Sequence, residues 1–162
     1  MRHTVLSAAL VLGAVSLGGC SAVSGLFSDE PQRDESGQVT EASTEGAFSL
    51  EVGDCFDSTG LTEYVEEIPF VPCGEEHDAE VYASTQLTGE EYPGEDVVSE
   101  QAWTYCEEEF ASFVGVTYEE SVIDMFPMYP VEDGWNDLGD REVLCIASDI
   151  DGVTSTLRDA GR

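Results

Sequence analysis

Residues 135–145, with the sequence WNDLGDREVLC, decide the fold because a turn and a buried strand meet there. Asn, Asp and Gly dominate the first half, and these residues tolerate the tight dihedral angles of turns. The second half continues as residues 143–147, VLCIA, which are apolar on both faces of an extended chain. That pattern is typical of a strand in the middle of a sheet with both faces covered. We therefore predict a central strand over residues 143–147.

Arg141 stands at the start of this strand and is the only arginine or lysine between residues 47 and 151. A partly buried guanidinium can bind several carboxylates through its fork of donors. The sequence therefore predicts a structural ion pair between Arg141 and Asp140. We expect it near the acidic end of a helix, around Glu95 and Asp96, with the Gly115 end as the alternative.

The chain of 162 residues is strongly acidic, with 35 Asp and Glu against 5 Arg and Lys and a net charge of −30. Such a surface repels nucleic acid and anionic lipid head groups, so neither is expected as a direct partner. A solvated acidic surface explains the composition. Binding of cations or of a basic partner is the alternative that it leaves open.

The N-terminus has the pattern of an export signal. Arg2 and His3 precede an apolar run over residues 5–17, which is shorter than the roughly 20 residues that span a bilayer. The run ends in Leu17-Gly18-Gly19-Cys20, which resembles a bacterial lipobox. We predict a lipoprotein signal peptide over residues 1–19 and a palmitate-type lipid anchor at Cys20, on the outer face of the cytoplasmic membrane. An ordinary secretory signal is the alternative.

The remaining cysteines indicate two disulfides, because an even number in an exported chain is typical of bridged domains. The four residues are Cys55, Cys73, Cys106 and Cys145. They allow three pairings. We predict Cys55–Cys73, which closes a local loop, and Cys106–Cys145, which joins the helix to the last strand.

Composition divides the exported chain into three parts. Residues 20–46 are polar and acidic, which predicts a disordered tether after the lipidated cysteine. Residues 47–151 hold the apolar patterns of a folded domain, and residues 152–162 are predicted to be a flexible tail.

Hydrophobic periodicity predicts an α+β domain, with a small antiparallel or mixed sheet and one main helix packed on one face. Strands are expected at residues 48–52 and 80–87, and an edge or extended segment at 64–71 because of Pro69 and Pro72. Apolar residues at steps of four from Val98 to Val114 predict the helix, which Gly115 ends. A second, shorter helix is expected over residues 118–125.

No motif predicts a reaction. His77 with Asp78 offers a base, but no serine lies in a Gly-x-Ser-x-Gly motif. The Cys73-x3-His77 spacing lacks two further zinc ligands, and a disulfide is favoured in an exported chain. Residues 133–140 supply oxygens for calcium but lack the spacing of an EF-hand loop. We therefore expect no catalytic residues, no metal and no cofactor.

An ordered set of short motifs resembles the septum formation domain family of actinobacteria. It comprises Gly53-Asp54-Cys55-Phe56, Val71-Pro72-Cys73 with His77 and Glu80-Val81, Tyr92-Pro93-Gly94, Cys106, Phe113-Val114-Gly115, and Trp135 with Gly139-Asp140-Arg141 and Cys145. The chain departs from that pattern at Glu76, where a proline is expected, and in its lipobox, where many members carry a transmembrane helix. The resemblance implies a membrane-attached, extracytoplasmic protein that the family's name links to division-septum formation, and it does not imply any enzymatic activity.

The function expected from the sequence is therefore a lipid-anchored binding or scaffold module of the cell envelope. Its partner would be an envelope protein or a cell-wall component. A cell-wall hydrolase or transferase that uses His77 and nearby carboxylates is the first alternative. A module that responds to divalent cations is the second.

Overall fold

Six strands form one antiparallel sheet in the computed structural model, which describes residues 30–62 and 64–162. They are Ser43–Gly46 (β1), Cys55–Phe56 (β2), Glu67–Val71 (β3), His77–Gln86 (β4), Asp124–Met128 (β5) and Glu142–Val153 (β6). Their order is β1-β3-β2-β4-β6-β5, and the helix Glu95–Val114 (α1) follows β4 in the chain. The predicted α+β class is confirmed, and every strand pairing is antiparallel.

Strand β6 is the central strand that residues 143–147 predict. It pairs with β4 on one side and with β5 on the other. Val143, Cys145 and Ala147 belong to the core on the α1 face, whereas Leu144 and Ile146 belong to the core on the opposite face. The alternation of side chains across a strand produces this division, so both faces of β6 are covered.

Helix α1 lies where the period of four predicts it. Its buried residues are Val98, Ala102, Cys106, Phe110, Phe113 and Val114. Gly115 ends it with φ at 95°, a left-handed conformation that glycine adopts without a steric penalty, and donates its N–H to the Ala111 carbonyl at 3.0 Å. Among the described residues, no helix is long and apolar enough to cross a membrane.

The N-terminal segment covers the sheet face opposite α1. Val39 and Leu50 are buried there with Phe56, Phe70 and Ile146. Residues 43–46 form β1, which pairs with β3. The structure therefore differs from the predicted tether over residues 30–46, because this segment buries an apolar side chain and completes the sheet.

The C-terminal residues also pack on the domain, which differs from the predicted flexible tail. Leu157 is 1% exposed and belongs to the core on the α1 face. The N–H groups of Asp159 and Gly161 donate to the carbonyls of Phe113 and Val114, each at 2.8 Å. The last carbonyls of a helix lack hydrogen-bond donors within the helix, and here the N–H groups of the tail are the donors for two of them.

Two local predictions were wrong. The strand expected at residues 48–52 is a 3₁₀ turn at Ala47–Ser49, and Phe48 is exposed. The second helix is a single 3₁₀ turn at Tyr118–Glu120, and β5 follows it. A pattern of five to eight residues is too short to distinguish a turn from a strand or a helix. The structure of these segments therefore depends on how they pack against the sheet.

Strand β3 lies inside the sheet although it contains Pro69, and so it is not the edge that its prolines predict. The Pro69 carbonyl accepts the Asp57 N–H at 3.1 Å. The N–H and C=O of one strand residue point to the same side of the strand. The N–H that Pro69 lacks would therefore point to a position just beyond Phe56, the last residue of β2. No ladder bond is lost there, and β1 covers the other side of β3.

Candidate functional site

A groove with a volume of about 550 Å³ opens at the end of the sheet where β4 begins and β6 ends. Its walls come from Ser58 after β2, from Asp78 in β4, from Ser148 and Ile150 in β6, and from residues 118 and 121–124 around the start of β5. These segments are far apart in the sequence and meet because β2, β4, β6 and β5 are neighbours in the sheet. The groove is therefore a property of the topology.

Two carboxylates in the groove are held in fixed orientations. Asp78 accepts hydrogen bonds from the N–H of Ser58 at 2.6 Å and from its hydroxyl at 2.8 Å. Asp124 accepts from the Tyr118 hydroxyl at 2.7 Å and from the Met125 N–H at 2.8 Å. The bond to Asp124, together with burial, raises the pKa of Tyr118, so the phenol remains a donor at neutral pH. Both negative charges are thus in place before any ligand binds.

The rim of the groove carries two exposed aliphatic side chains. Ile150 is 95% exposed and Val122 is 74% exposed. Among the described residues, Ile150 is the most exposed large hydrophobic residue. Aliphatic side chains beside fixed carboxylates suit a ligand that carries both apolar and cationic groups.

His77 lies elsewhere and does not line the groove. It is 3% exposed, and its Nδ1 lies 2.8 Å from the Glu75 carbonyl oxygen. The Asp78 carboxylate accepts hydrogen bonds from Ser58 instead, so His77 and Asp78 do not form a hydrogen-bonded catalytic pair.

Both predicted disulfides are confirmed. Cys55 is joined to Cys73 with a Cα–Cα distance of 5.2 Å, and Cys106 to Cys145 with one of 5.3 Å. The first bridge links β2 to the segment between β3 and β4, and the second links α1 to β6. Their positions explain how a domain with short strands at one edge keeps its layers together.

Arg141 binds backbone carbonyls and a ring instead of the predicted carboxylates. Its guanidinium carbon lies 3.7 Å from the centroid of the Trp135 ring. It donates to the Gly89 and Trp135 carbonyls at 3.1 and 2.9 Å, and to the Asp140 carbonyl at 2.6 Å. The Asp140 carboxylate accepts the Glu142 N–H at 2.9 Å. The predicted ion pair is thus replaced by bonds that close the turn, since carbonyls of the turn and of residue 89 surround the guanidinium.

Replacing Arg141 with alanine is expected to lower the free energy of unfolding by about 2–3 kcal/mol, because a cation–π contact and several charge-assisted hydrogen bonds are lost together. Lysine should restore less than half, because an ammonium cannot both stack on Trp135 and donate as a fork. Urea unfolding of the oxidised chain measures both variants. Because the hydrogen-bond partners of Arg141 are neutral carbonyls, the loss of stability should change little with salt concentration. A loss that disappears at high salt would instead indicate carboxylate partners.

Arg33 is the functional side chain that the sequence interpretation missed. It donates from both terminal nitrogens to the carboxylate of Asp54, which is 1% exposed. It also donates to the Ser49 carbonyl at 2.9 Å. A single arginine within an acidic, polar stretch gives no periodicity to recognise. The only available signal was the scarcity of cations in the chain.

The described residues contain one group of three side chains that could bind a metal, and it lies outside the loop at residues 133–140. The group consists of Cys55, His77 and Glu80, which are all buried. In the loop at residues 133–140, residues 134–138 form a turn of π-helix, and Trp135 is buried. The ring and the carbonyl of Trp135 both contact Arg141, so this loop holds the arginine in place.

Cys20, the predicted lipidation site, lies outside the described residues. A family model described as "Septum formation" matches residues 20–145, so the match begins at this cysteine. No curated protein and no solved structure matches the chain. The matched region contains β1 to β5, the start of β6, the whole of α1 and both disulfides. The chain therefore belongs to the septum formation family, which relates it to cell division and the cell envelope.

Proposed function

We propose that this protein is a non-enzymatic binding module, anchored by a lipid at Cys20 on the outer face of the cytoplasmic membrane. Its groove binds an extended, basic and partly apolar segment of an envelope protein that acts in division. The observation that supports this function is the groove itself, where two oriented carboxylates adjoin exposed aliphatic side chains. The family membership supports the division context.

Charge complementarity indicates which kind of segment the groove binds. The chain has a net charge of −30, and the groove contributes Asp78 and Asp124 without an arginine or lysine in its lining. A cationic segment is attracted to this surface at long range, which raises the rate of encounter. Val122 and Ile150 then supply apolar area that is removed from water when the partner binds. The partner therefore needs lysine or arginine next to aliphatic side chains.

The anchor limits where the partner can be. Arg33 is bound to the buried Asp54, and it lies 13 positions after Cys20 in the chain. A fully extended chain of that length spans at most about 45 Å. A lipidated domain would therefore work within about 45 Å of the membrane surface, so its partner is a membrane protein or a protein held close to the membrane.

The groove is tested with charge-neutral variants. The probe is a synthetic extended peptide of alternating lysine and leucine, titrated by fluorescence anisotropy against the full-length chain. Val122→Ser with Ile150→Ser is expected to weaken binding about tenfold or more, because the apolar contact is lost while the net charge is unchanged. The matched control is Leu138→Ser, which also removes an exposed aliphatic group. Leu138 lies near the other end of β6, about 25 Å from Ile150 by strand length.

The same variants are then examined in intact envelopes. A photocrosslinking residue at Ser121 is expected to give an adduct with one envelope protein. That adduct should disappear in the Val122→Ser/Ile150→Ser chain and persist in the Leu138→Ser chain. Equal behaviour of the two variants, in either assay, would show that the peptide follows overall charge and that the groove does not bind the partner.

The anchor is tested separately by mass spectrometry. The mature wild-type chain is expected to begin at a lipid-modified Cys20, because the thiol receives the acyl-carrying group before cleavage. Cys20→Ala should leave the chain unprocessed or released from the membrane fraction. An unmodified mature wild-type protein in the soluble fraction would contradict the anchor and leave the groove prediction intact.

A further inference from the structure

A buried cluster next to the Cys55–Cys73 disulfide has the composition of a metal site. One potential ligand atom from each of Cys55, His77 and Glu80 lies within 4.8 Å of the other two. Cys55 is fully buried, His77 is 3% exposed and Glu80 is 4% exposed. The Cys73 sulfur is covalently joined to that of Cys55 and therefore borders the same space. Two sulfurs, one imidazole and one carboxylate are thus collected at one position, with the partly exposed Cys73 on its outer side.

His77 has the arrangement of a histidine prepared for a metal. Its Nδ1 lies 2.8 Å from the Glu75 carbonyl oxygen, which can only accept, so Nδ1 carries the proton. Its Nε2 is buried and has no hydrogen-bond partner. In neutral imidazole that nitrogen then holds a free lone pair. Metal-bound histidines usually donate their other N–H to a carbonyl or carboxylate, which is the bond seen here.

Glu80 is also held by neighbouring groups. Its carboxylate accepts from the Thr156 hydroxyl at 2.7 Å and from the Leu157 N–H at 2.6 Å. Two oxygens can accept about four hydrogen bonds, so an orbital remains for a ligand. The packed C-terminal residues therefore orient this carboxylate, and a second group of the cluster is fixed from outside.

We propose that reduction of the Cys55–Cys73 disulfide opens a zinc site formed by Cys55, Cys73, His77 and Glu80. A dithiol reductant supplies two electrons, is itself oxidised to a disulfide, and converts the bridge into two thiols. Zinc binding releases their two protons to the solvent and leaves two thiolates as ligands. Four ligands of sulfur, nitrogen and oxygen suit tetrahedral zinc, whereas calcium and magnesium prefer oxygen and retained water. The bridge and the metal would be alternative crosslinks between β2 and the segment that joins β3 to β4.

The decisive experiment uses Cys73→Ser, which frees the Cys55 thiol without a reductant and leaves Cys106–Cys145 intact. Every sample is the full-length chain with Cys20→Ala, so that Cys20 contributes no thiol. Cobalt(II) serves as the spectroscopic probe for zinc. Cys73→Ser is expected to give a thiolate-to-cobalt absorption band, and zinc should displace the cobalt. The matched variant Cys73→Ser/His77→Gln is expected to bind cobalt roughly 100-fold more weakly, because a ligand is missing.

A second arm uses the chain with both native cysteines. After reduction with a phosphine it is expected to bind one zinc ion with the same dependence on His77, and the oxidised chain is expected to bind none. Circular dichroism checks that each variant is folded, and if Cys73→Ser is not, the reduced chains decide. Metal binding that is unchanged by His77→Gln would overturn the proposal. Absence of metal from both Cys73→Ser and the reduced chain would overturn it as well.

Discussion

Replacing Arg33 with alanine is expected to lower the free energy of unfolding by about 3–5 kcal/mol, the range for removing one partner of a buried ion pair. Asp54 is 1% exposed and would keep a charge with no cation beside it. The hydrogen bond to Asp54 raises the pKa of Arg33, so the arginine is fully charged in the folded protein. The Ser49 and Gly37 carbonyls also lose a donor. Urea unfolding of the oxidised chain measures the change.

Three variants separate the contribution of the Arg33–Asp54 pair from that of the surrounding groups. Arg33→Lys should restore part of the stability, because an ammonium keeps the charge but not the two-pronged bond. Glu51→Gln should change stability by less than about 0.5 kcal/mol, since Glu51 is 68% exposed at its side chain and lies 3.8 Å from Arg33. Asp54→Asn added to Arg33→Ala should recover stability, because the unpaired charge is removed. Wild-type stability of Arg33→Ala would show that the Arg33–Asp54 pair does not stabilise the domain.

Arg33 also shows the limit of interpretation from sequence. The surrounding residues are polar and acidic, and their composition alone predicts disorder. What orders them is a partner 21 residues away, the buried Asp54, together with the buried side chains of Pro31 and Val39. One ion pair and two separate buried side chains leave no periodic pattern in the sequence. Non-local contacts of this kind are invisible to methods that depend on local pattern.

Elements with a long, regular pattern were predictable. Helix α1 has apolar residues at steps of four over five turns, and its end at Gly115 is confirmed. Strand β6 was predictable because residues 143–147 are apolar on both faces, which few other structures require. The pairing of Cys106 with Cys145 follows once α1 is placed on the sheet. In each case the local pattern and the tertiary packing favour the same structure.

The groove could not be predicted, although each of its residues was visible. Asp78, Asp124 and Ile150 lie in three different strands, and their proximity depends on the order of β4, β6 and β5 across the sheet. Strand order was not derivable from the alternation of single segments. An isoleucine is usually expected to be buried, whereas Ile150 lies at the end of the sheet and is 95% exposed. The candidate site is therefore a result of topology, whereas the core is a result of pattern.

Removing the Cys106–Cys145 bridge, by replacing both cysteines with alanine, is expected to lower the free energy of unfolding by about 4 kcal/mol from chain entropy alone. The bridge closes a segment of 39 residues that contains the C-terminal part of α1, β5 and the turn before β6. Both cysteines are fully buried in the core on the α1 face. Lost packing around the sulfurs adds to the change, because a core collapses only partly around a smaller side chain.

The matched comparison is Cys55→Ala/Cys73→Ala, measured in the same way. That bridge closes only 18 residues, so chain entropy alone predicts about 3 kcal/mol. Cys73 is partly exposed, which reduces the packing loss. The α1 bridge should therefore be the more stabilising of the two, by about 1 kcal/mol or more. Thermal and urea unfolding of the two double variants, both compared with the oxidised wild type, give the difference. If the Cys55/Cys73 variant is the less stable one, local strain relief or the charged groups around His77 and Glu80 outweigh loop length, and the entropic argument for this domain is wrong.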